Sequence, residues 1–312
     1  MSSTRIRGKK QKVERNSGKE EENDQPSDLI EPQSQKLYKR IIIRIVLVVG
    51  SLLFVRFYLP GVGKNTTIAS SGEIIDRRHI SIECSKDYEE EKDRFEACIP
   101  KSCGRVVMDS VITQDEAAKL QDIAKRGLAL GGSNGGASIL DLHSGALSAG
   151  DKFVDVFRVM ENKKVFTQED FNLYRAVKNK IHRTISQEFG IPPGELFLTK
   201  PTFFSRMTTK PKKTVHDEYW HPHVDKETYG SFHYTSLLYL ADYGTDFTGG
   251  RFVFIDKDTN RTVEPRQGRL SFFTSGSENV HFVEKLESGT RYAITVSFTC
   301  DATKAIKDPV LR

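Results

Sequence analysis

Hydrophobic and polar positions along the chain change their period near residue 198. Before that point, apolar residues recur at steps of three and four, the spacing of one face of an α-helix. After it, they alternate at steps of two in short runs, which is typical of β-strands. The sequence therefore predicts an α+β fold in which helices support a closed or sandwich-like β core.

Two helices are predicted in the first part. One begins after a capping box formed by Thr113 and Glu116 and ends near Gly127. The other begins after Thr167 and ends at Gly190, a residue suited to the C-terminal cap. A glycine-rich stretch at 131–136 follows the first helix; it lacks the Gly-Lys-Ser/Thr ending of a phosphate-binding loop, so we interpret it as a flexible loop.

The strands are predicted at 202–207, 234–240, 251–255, 269–273 and 291–298. The last strand has two unlike faces. One carries Arg291, Ala293, Thr295 and Ser297, and the other carries Tyr292, Ile294, Val296 and Phe298. We expect the apolar face to pack under the helices and the small, polar face to line an interior. A buried arginine in that interior needs an anionic partner.

The N-terminal part has a different composition. The first 40 residues hold ten Lys/Arg and seven Asp/Glu with few large apolar side chains, which predicts disorder. Residues 41–59 are almost wholly apolar and, at 1.5 Å per residue, span roughly 28 Å, close to the thickness of a bilayer core. Arg44 and Arg56 lie near the ends, where long side chains reach the headgroups. We expect a single transmembrane signal anchor; a cleaved signal peptide and a buried core helix are the alternatives.

Charge around 41–59 predicts the orientation of that anchor. Basic residues cluster before it, and only Lys64 follows in the next fifteen residues, so the N-terminus is expected in the cytosol and 60–312 in the lumen of the endoplasmic reticulum or Golgi. Both Asn-x-Ser/Thr glycosylation sequons, Asn65 and Asn260, lie on the lumenal side. So do all four cysteines, whose disulfide pairing the sequence leaves open: Cys84, Cys98, Cys103 and Cys300.

Candidate chemistry lies in the strand region. His223 and Asp225 are two residues apart, so on an extended segment both side chains point to one side. A later histidine, His281, completes a set of two imidazoles and one carboxylate, which holds Fe(II) on one face of an octahedron and leaves three positions open. The remaining nearby histidines are expected to lie at the surface or to support the ligands: His143, His221 and His233.

Arg291 follows His281 by ten residues. Its guanidinium is well matched to the distal carboxylate of a 2-oxo diacid such as 2-oxoglutarate. Tyr239 on a neighbouring strand could bring its hydroxyl to the same carboxylate, or it could be an ordinary packing residue.

From 203 to 298 the chain resembles the prolyl 4-hydroxylase catalytic domain. The matching order is His223-x-Asp225, Tyr234-Thr235-x-x-x-Tyr239-Leu240, Gly249-Gly250, Val263-Glu264-Pro265, His281 and Arg291-Tyr292-Ala293-Ile294-Thr295. The resemblance implies a double-stranded β-helix (jelly-roll) fold and an Fe(II)- and 2-oxoglutarate-dependent dioxygenase supported by ascorbate. It implies iron ligation by His223, Asp225 and His281, and an anchoring role for Arg291. Collagen-type members usually carry lysine at the anchor, so the arginine does not indicate a collagen substrate.

The chain is then predicted to have six parts. They are a disordered cytosolic tail at 1–40, a transmembrane anchor at 41–59, a lumenal stem with cysteines at 60–105, a helical support region at 106–197, the dioxygenase domain at 198–300 and a C-terminal tail at 301–312. The expected partner is a lumenal protein or peptide substrate. Net charge is only +5 without a basic stripe bearing aromatics, so no nucleic acid is expected. A catalytically silent binding module and a cupin-like metal enzyme of another reaction class are the rival interpretations.

Overall fold

The computed structural model describes residues 33–58, 65–160, 164–192 and 194–311. The chain divides into two compact units, Met1–Val62 and Gly63–Arg312. The α-helices in the described residues are α1 Gln33–Tyr58, α2 Gln114–Leu128, α3 Val156–Val159, α4 Gln168–Phe189 and α5 Asp225–Tyr229.

The β-strands of the described residues all begin at Asn65 or later, and they form two groups along the chain. The first group is β1 Asn65–Ala69, β2 Arg78–Ile82, β3 Cys103–Met108, β4 Gly132–Ser133, β5 Ala137–Leu140, β6 Ala146–Gly150 and β7 Lys152–Asp155. The second group is β8 Phe197–Met207, β9 Tyr234–Tyr239, β10 Phe247–Gly249, β11 Phe252–Ile255, β12 Asn260–Val263, β13 Leu270–Thr274, β14 His281–Val283, β15 Leu286–Gly289 and β16 Arg291–Thr299.

In the first unit, the described residues form α1. Within the part of the chain that the structure describes, no helix combines the length and the apolar character needed to cross a bilayer. The segment 41–59, which was predicted to cross the membrane, extends beyond the described residues. Most of the predicted tail at 1–40 also lies outside them. Residues 33–40 of that tail are helical.

In the second unit, two sheets face each other. The large sheet has the order β2-β3-β13-β9-β16-β8-β5-β6-β4, with β7 also paired to β6, and the small sheet has the order β1-β12-β11-β14. From β9 onward the chain passes back and forth between them, since β9, β13 and β16 belong to the large sheet while β11, β12 and β14 belong to the small one. This winding is a double-stranded β-helix, so the predicted fold class is confirmed for this unit.

Apolar side chains fill two layers, one on each face of the large sheet. Between the sheets lie residues such as Leu237, Phe252 and Phe273. On the outer face, Ile294 and Phe298 of β16 pack with residues of α2 and α4. The predicted division of β16 into a helix-facing side and an interior side is therefore confirmed.

The predicted helices are present with their caps. The Thr113 hydroxyl accepts from the Glu116 N–H at 3.2 Å, and the Glu116 carboxylate accepts from the Thr113 N–H at 3.0 Å. Gly190 ends α4 with φ 66°, a left-handed conformation that glycine adopts without strain. The reciprocal capping bonds satisfy backbone donors that the first turn would otherwise leave unpaired.

Two stretches are more ordered than the sequence pattern predicts. The stem predicted at 60–105 contains β1 and β2 and the start of β3, and β3 pairs with β13 in the large sheet. The glycine-rich stretch predicted as a flexible loop is closely packed. A Cβ atom at Gly135 would lie 1.9 Å from the Asp217 carboxylate, and one at Gly136 would lie 2.0 Å from the Trp220 ring. These glycines are needed for close approach, not for freedom.

The cysteine pairing that the sequence left open is resolved. Cys84 bonds to Cys103, and Cys98 bonds to Cys300. The first disulfide closes a short loop with a sequence separation of 19, whereas the second joins positions 202 residues apart. The second bridge therefore fastens the region before α2 to the end of the last strand of the β core.

Candidate metal and co-substrate site

His223 and His281 are brought together by the backbone. Each residue's N–H donates to the carbonyl of the other, at 3.0 Å in both directions, as in a short antiparallel bridge. The two imidazole rings consequently lie with their centroids 4.3 Å apart. His281 begins β14, so a later strand supplies the third predicted ligand, as expected.

Asp225 lies beside the two histidines, but its backbone conformation differs from the predicted one. It is the first residue of α5, preceded by Val224 in extended conformation, so the segment is a junction between an extended stretch and a helix rather than a strand. Its Oδ1 lies 3.7 Å from Nε2 of both His223 and His281. Its Oδ2 accepts from the Thr235 hydroxyl at 2.6 Å, which fixes the carboxylate plane.

The two imidazoles are oriented alike. Nδ1 of His223 bonds to the carbonyl of His221, and Nδ1 of His281 bonds to the carbonyl of Asn279, each at 2.8 Å. A carbonyl only accepts, so each Nδ1 carries a proton, and in a neutral imidazole Nε2 is then the nitrogen that can bind a metal. Burial, partly opposed by the Asp225 carboxylate, lowers the pKa of His281 to about 4, so its imidazole is neutral near pH 7.

One ligand atom from each member of the trio lies within 4.8 Å of the others. Asp225 and His281 are buried, and His223 is half-buried. Two neutral imidazoles and one carboxylate are the donor set of the facial triad that binds Fe(II) in oxygenases. The residues present therefore fit the metal that the donor chemistry predicts.

A residue that the sequence did not single out supports His281. Arg105 on β3 is fully buried, and its Nε donates to Oδ1 of Asn279 at 2.6 Å. The Asn279 carbonyl in turn accepts the proton of His281 Nδ1. The same guanidinium pairs with both oxygens of Asp256 and stacks over the Phe254 ring at 4.2 Å. Arg105 thus fixes the backbone turn that sets the imidazole direction.

Arg291 lies in the same cavity as the trio. The side chain is fully buried, and its Nη1 makes only a weak contact with Met207 Sδ at 3.8 Å. Among the described residues, no hydrogen-bond acceptor meets its Nε or Nη2. Burial lowers the pKa of this guanidinium from its usual value. A buried cation without a carboxylate partner fits an anionic ligand, as predicted from the sequence.

Tyr239 lies beside Arg291, whose guanidinium carbon is 5.4 Å from the centre of its ring. The tyrosine is completely buried, and burial raises the pKa of its hydroxyl to about 12, against the opposing charges of Arg291 and Arg269. The hydroxyl therefore stays protonated and can donate a hydrogen bond. The proximity to Arg291 is what the sequence predicted, although a packing role accounts equally for the burial.

The other histidines lie outside the trio. His221 is exposed, and His143 bonds to the Lys307 carbonyl and the Tyr174 hydroxyl. His233 is buried beside Glu91, with its Nε2 3.1 Å from a carboxylate oxygen. Lys226, adjacent to Asp225, pairs with that same oxygen of Glu91. The hydrogen bonds from His233 and Lys226 outweigh burial and lower the pKa of Glu91 to about 2.

Comparisons with known proteins agree with this geometry. A family model described as the 2OG-Fe(II) oxygenase superfamily matches residues 204–299. A Xenopus tropicalis protein named 2-oxoglutarate and iron-dependent oxygenase domain-containing protein 3 is 62% identical over 244 residues, covering 78% of this chain and 77% of that protein. A Rattus norvegicus protein of the same name is 52% identical over 296 residues, covering 93% and 92%. Prolyl 3-hydroxylase 1 of Rattus norvegicus is 29% identical over 232 residues, covering 66% of this chain but 30% of that protein.

The first two relatives match this chain over more than two thirds of both lengths. The family match falls on the part of the chain that contains all three members of the trio and Arg291. The chain therefore belongs to the 2OG-Fe(II) oxygenase superfamily, whose members use Fe(II) and 2-oxoglutarate.

Proposed function

We propose that this chain is an active Fe(II)- and 2-oxoglutarate-dependent dioxygenase that hydroxylates a C–H bond of a protein or peptide. The observation that carries the proposal is the shared cavity. The trio of His223, Asp225 and His281 lines the same cavity as Arg291, whose guanidinium has no carboxylate partner among the described residues. A metal ligand set and a buried cation facing one space are the two halves of a site for a chelating diacid.

The residues divide the task between them. The trio would hold Fe(II), which with 2-oxoglutarate supplies the activation of dioxygen. Arg291 would bind the distal carboxylate of the co-substrate, and Tyr239 would donate a hydrogen bond to it. The cavity itself measures only about 30 Å³, the room of a water molecule. Lining side chains must therefore move when a dianion enters, and the apolar walls then exclude water from the reacting atoms.

A prolyl-hydroxylase-like reaction is part of the proposal. Its support is the similarity to prolyl 3-hydroxylase 1 and to the prolyl 4-hydroxylase motifs. The two disulfides and the two sequons support a lumenal location, because disulfides persist in oxidising compartments. Asn65 and Asn260 are direct neighbours on β1 and β12, so both glycans would leave the small sheet at one point. Attachment to a membrane through 41–59 and support by ascorbate complete the proposal.

The test is turnover of 2-oxoglutarate by the purified chain. Succinate should form only when Fe(II) and dioxygen are present, and ascorbate should prolong the reaction. If neither Fe(II) nor 2-oxoglutarate raises the melting temperature and no succinate forms, the β core is a catalytically silent binding module. Comparative mass spectrometry of secretory-pathway proteins from cells with and without this chain then seeks the substrate, as a peptide that loses the mass of one oxygen atom.

A further inference from the structure

Two larger cavities adjoin the cavity at the trio. One has a volume of about 650 Å³ and shares His223 with the metal site, and the other, of about 270 Å³, shares Phe203 with it. Tyr219 and Tyr229 line all three cavities. Because they share these walls, the three cavities adjoin one another, and together they are called the groove. A ligand that occupies both larger cavities therefore passes Tyr219 and Tyr229 beside the trio cavity.

The larger end of the groove is cationic. It is lined by Lys212 and Lys213, both exposed, together with Thr214, His221 and Thr228. None of the described residues lining this end carries a carboxylate. Two adjacent ammonium groups on one wall create a positive potential, which attracts an acidic side chain and repels a basic one.

The cationic wall is held in place by a buried carboxylate. Asp217 is fully buried, and one of its oxygens accepts from the backbone N–H groups of Lys213 and Thr214 at 2.8 and 2.9 Å. The other oxygen accepts from the N–H of Ala137 on β5 at 2.7 Å. These bonds tie the lysine-bearing backbone to the large sheet. They also engage this carboxylate inside the protein instead of directing it at the lysine ammonium groups.

The smaller end of the groove is mainly apolar. Its walls include Ile139, Pro201, Phe203 and Phe153, and half of the Phe153 surface is exposed. The Phe153 ring rests on the buried His216 ring at 4.4 Å between centroids. Asp141 is the acid at this end, and its oxygens accept from the Ser144 hydroxyl and the His143 N–H. An exposed aromatic ring in an apolar recess is the common form of a side-chain pocket.

We propose that this groove binds an extended polypeptide with an acidic residue on one side of the hydroxylated residue and an apolar residue on the other. The inference rests on the proposed function and specifies its substrate class. Lys212 and Lys213 select the acidic residue, and the recess around Phe153 receives the apolar one. A nucleic acid fits less well, because its phosphates need positive charge along the whole groove, and the described residues that line the Phe153 end include no Lys or Arg.

The test measures peptide binding to the full chain by fluorescence anisotropy. The titrations are made under anaerobic conditions with Fe(II) and 2-oxoglutarate present. The first probe is a short labelled peptide with two glutamates, a central proline and a phenylalanine, made in both orders. In the second probe lysines replace the glutamates, and in the third serine replaces the phenylalanine. The acidic probe should bind about tenfold more tightly than the lysine probe in one of the two orders. The serine probe should bind more weakly than the parent.

Variants then locate the selectivity. The double variant K212E/K213E should reverse the preference between the acidic and the lysine probes, and Phe153→Ala should abolish the difference between the phenylalanine and serine probes. The matched control K257E/K285E changes net charge equally at two exposed lysines outside the groove, so it should keep the wild-type preference.

Two outcomes would overturn the groove assignment. In one, wild-type protein binds the acidic and lysine probes equally. In the other, a labelled oligothymidylate binds through Lys212 and Lys213 while no peptide does. Melting curves of the same wild-type preparation with Fe(II) and 2-oxoglutarate keep the two proposals apart. A stabilised protein without peptide selectivity refutes the groove alone, whereas an unaffected melting temperature refutes the dioxygenase first.

Discussion

Residues 204–299 and the segment 65–108 contribute differently to the same site. The first region carries all three members of the trio and Arg291, and its motifs are readable in the sequence. The second carries no ligand, yet its side chains fix the groups next to the ligands. Arg105 holds Asn279, Tyr88 donates to the Glu278 carboxylate at 2.9 Å, and Glu91 pairs with Lys226. The comparison teaches that the candidate ligands lie in one part of the chain, whereas their orientation depends on distant residues.

The largest expected effect falls on the ligands themselves. His223→Ala should eliminate measurable binding of Fe(II) in an anaerobic calorimetric titration, because two of three donors cannot hold the ion on one face. His221→Ala, two residues away, should bind the metal as wild type does, since its exposed side chain lies outside the trio. If His221→Ala loses the metal and His223→Ala keeps it, the ligand assignment is wrong.

The next effect concerns how the two regions are joined. In a chain-entropy description, a disulfide stabilises the fold by restricting the unfolded chain, and more so for a longer loop. Cys98–Cys300, with a separation of 202, should therefore contribute about 5 kcal/mol to the free energy of unfolding, and Cys84–Cys103, with a separation of 19, about 3 kcal/mol. Denaturant unfolding of the two serine double variants measures this difference. Equal losses would mean that the bridge between the regions has no special weight.

A smaller and more specific effect is expected at Arg105. Arg105→Leu removes the donor that holds Asn279, so the His281 imidazole loses its fixed direction. Metal affinity should fall by roughly 10- to 100-fold, as for other residues that orient a metal ligand. Arg261→Leu is the matched control, because Arg261 also pairs with Asp256, at 2.7 Å, without touching Asn279.

Stability and metal affinity must both be measured, because Arg105 could act by orienting His281 or by stabilising the fold. The two variants lose an ion pair to the same carboxylate, so part of their loss of stability is shared. The Arg105 variant alone should lose metal affinity when protein that is still folded, as judged by circular dichroism, is titrated with Mn(II). Equal metal affinity in both variants would reduce Arg105 to a structural residue.

Much of this molecule could be predicted from local patterns. The capping box of α2, the Thr167 cap of α4, the alternation in β16 and the trio all depend on residues near each other in sequence or on a known motif order. Asp225 was placed with its partners for a partly wrong reason, since a helix start rather than a strand carries it. The error did no harm because the first turn of a helix and an extended segment can both direct that carboxylate toward His223.

The rest could not be predicted, for a physical reason. β3 pairs with β13, more than 160 positions away. The pattern of apolar residues within either strand does not indicate which strand is its partner. In the sequence, Arg105 has the character of a surface residue. In the structure its partners are Asp256, which follows a strand of the small sheet, and Asn279, which lies in the turn after β13. The polar composition of 60–105 suggested a stem because some of its charged residues, such as Arg105 and Glu91, have their main partners far along the chain, at Asp256 and Lys226.

The last expected effect separates the two regions by the pH range in which each loses stability. A group whose pKa is lowered by folding stabilises the protein fully above its unfolded pKa and loses that contribution as the pH falls toward its folded value. For His281 the pKa falls from 6.5 to about 4, and for Glu91 from 4.5 to about 2. Metal-free protein should therefore lose the His281 contribution between pH 6.5 and 4, and the Glu91 contribution only between pH 4.5 and 2.

Melting temperatures of the metal-free wild type and of two variants, measured from pH 6.5 to pH 2, test which group titrates in which part of this range. His281→Gln should flatten the upper part of the curve, where His233, whose pKa is also lowered by burial, leaves a residual slope. Glu91→Gln should reduce the slope of the acidic part, where Glu73, whose pKa is also lowered to about 2, leaves a residual slope. It should not flatten the upper part, because Glu91 opposes the lowering of the His233 pKa by burial. If Glu91→Gln instead removes the slope near pH 6, the contact between the regions titrates through His233. The two regions would then respond to acid as one unit.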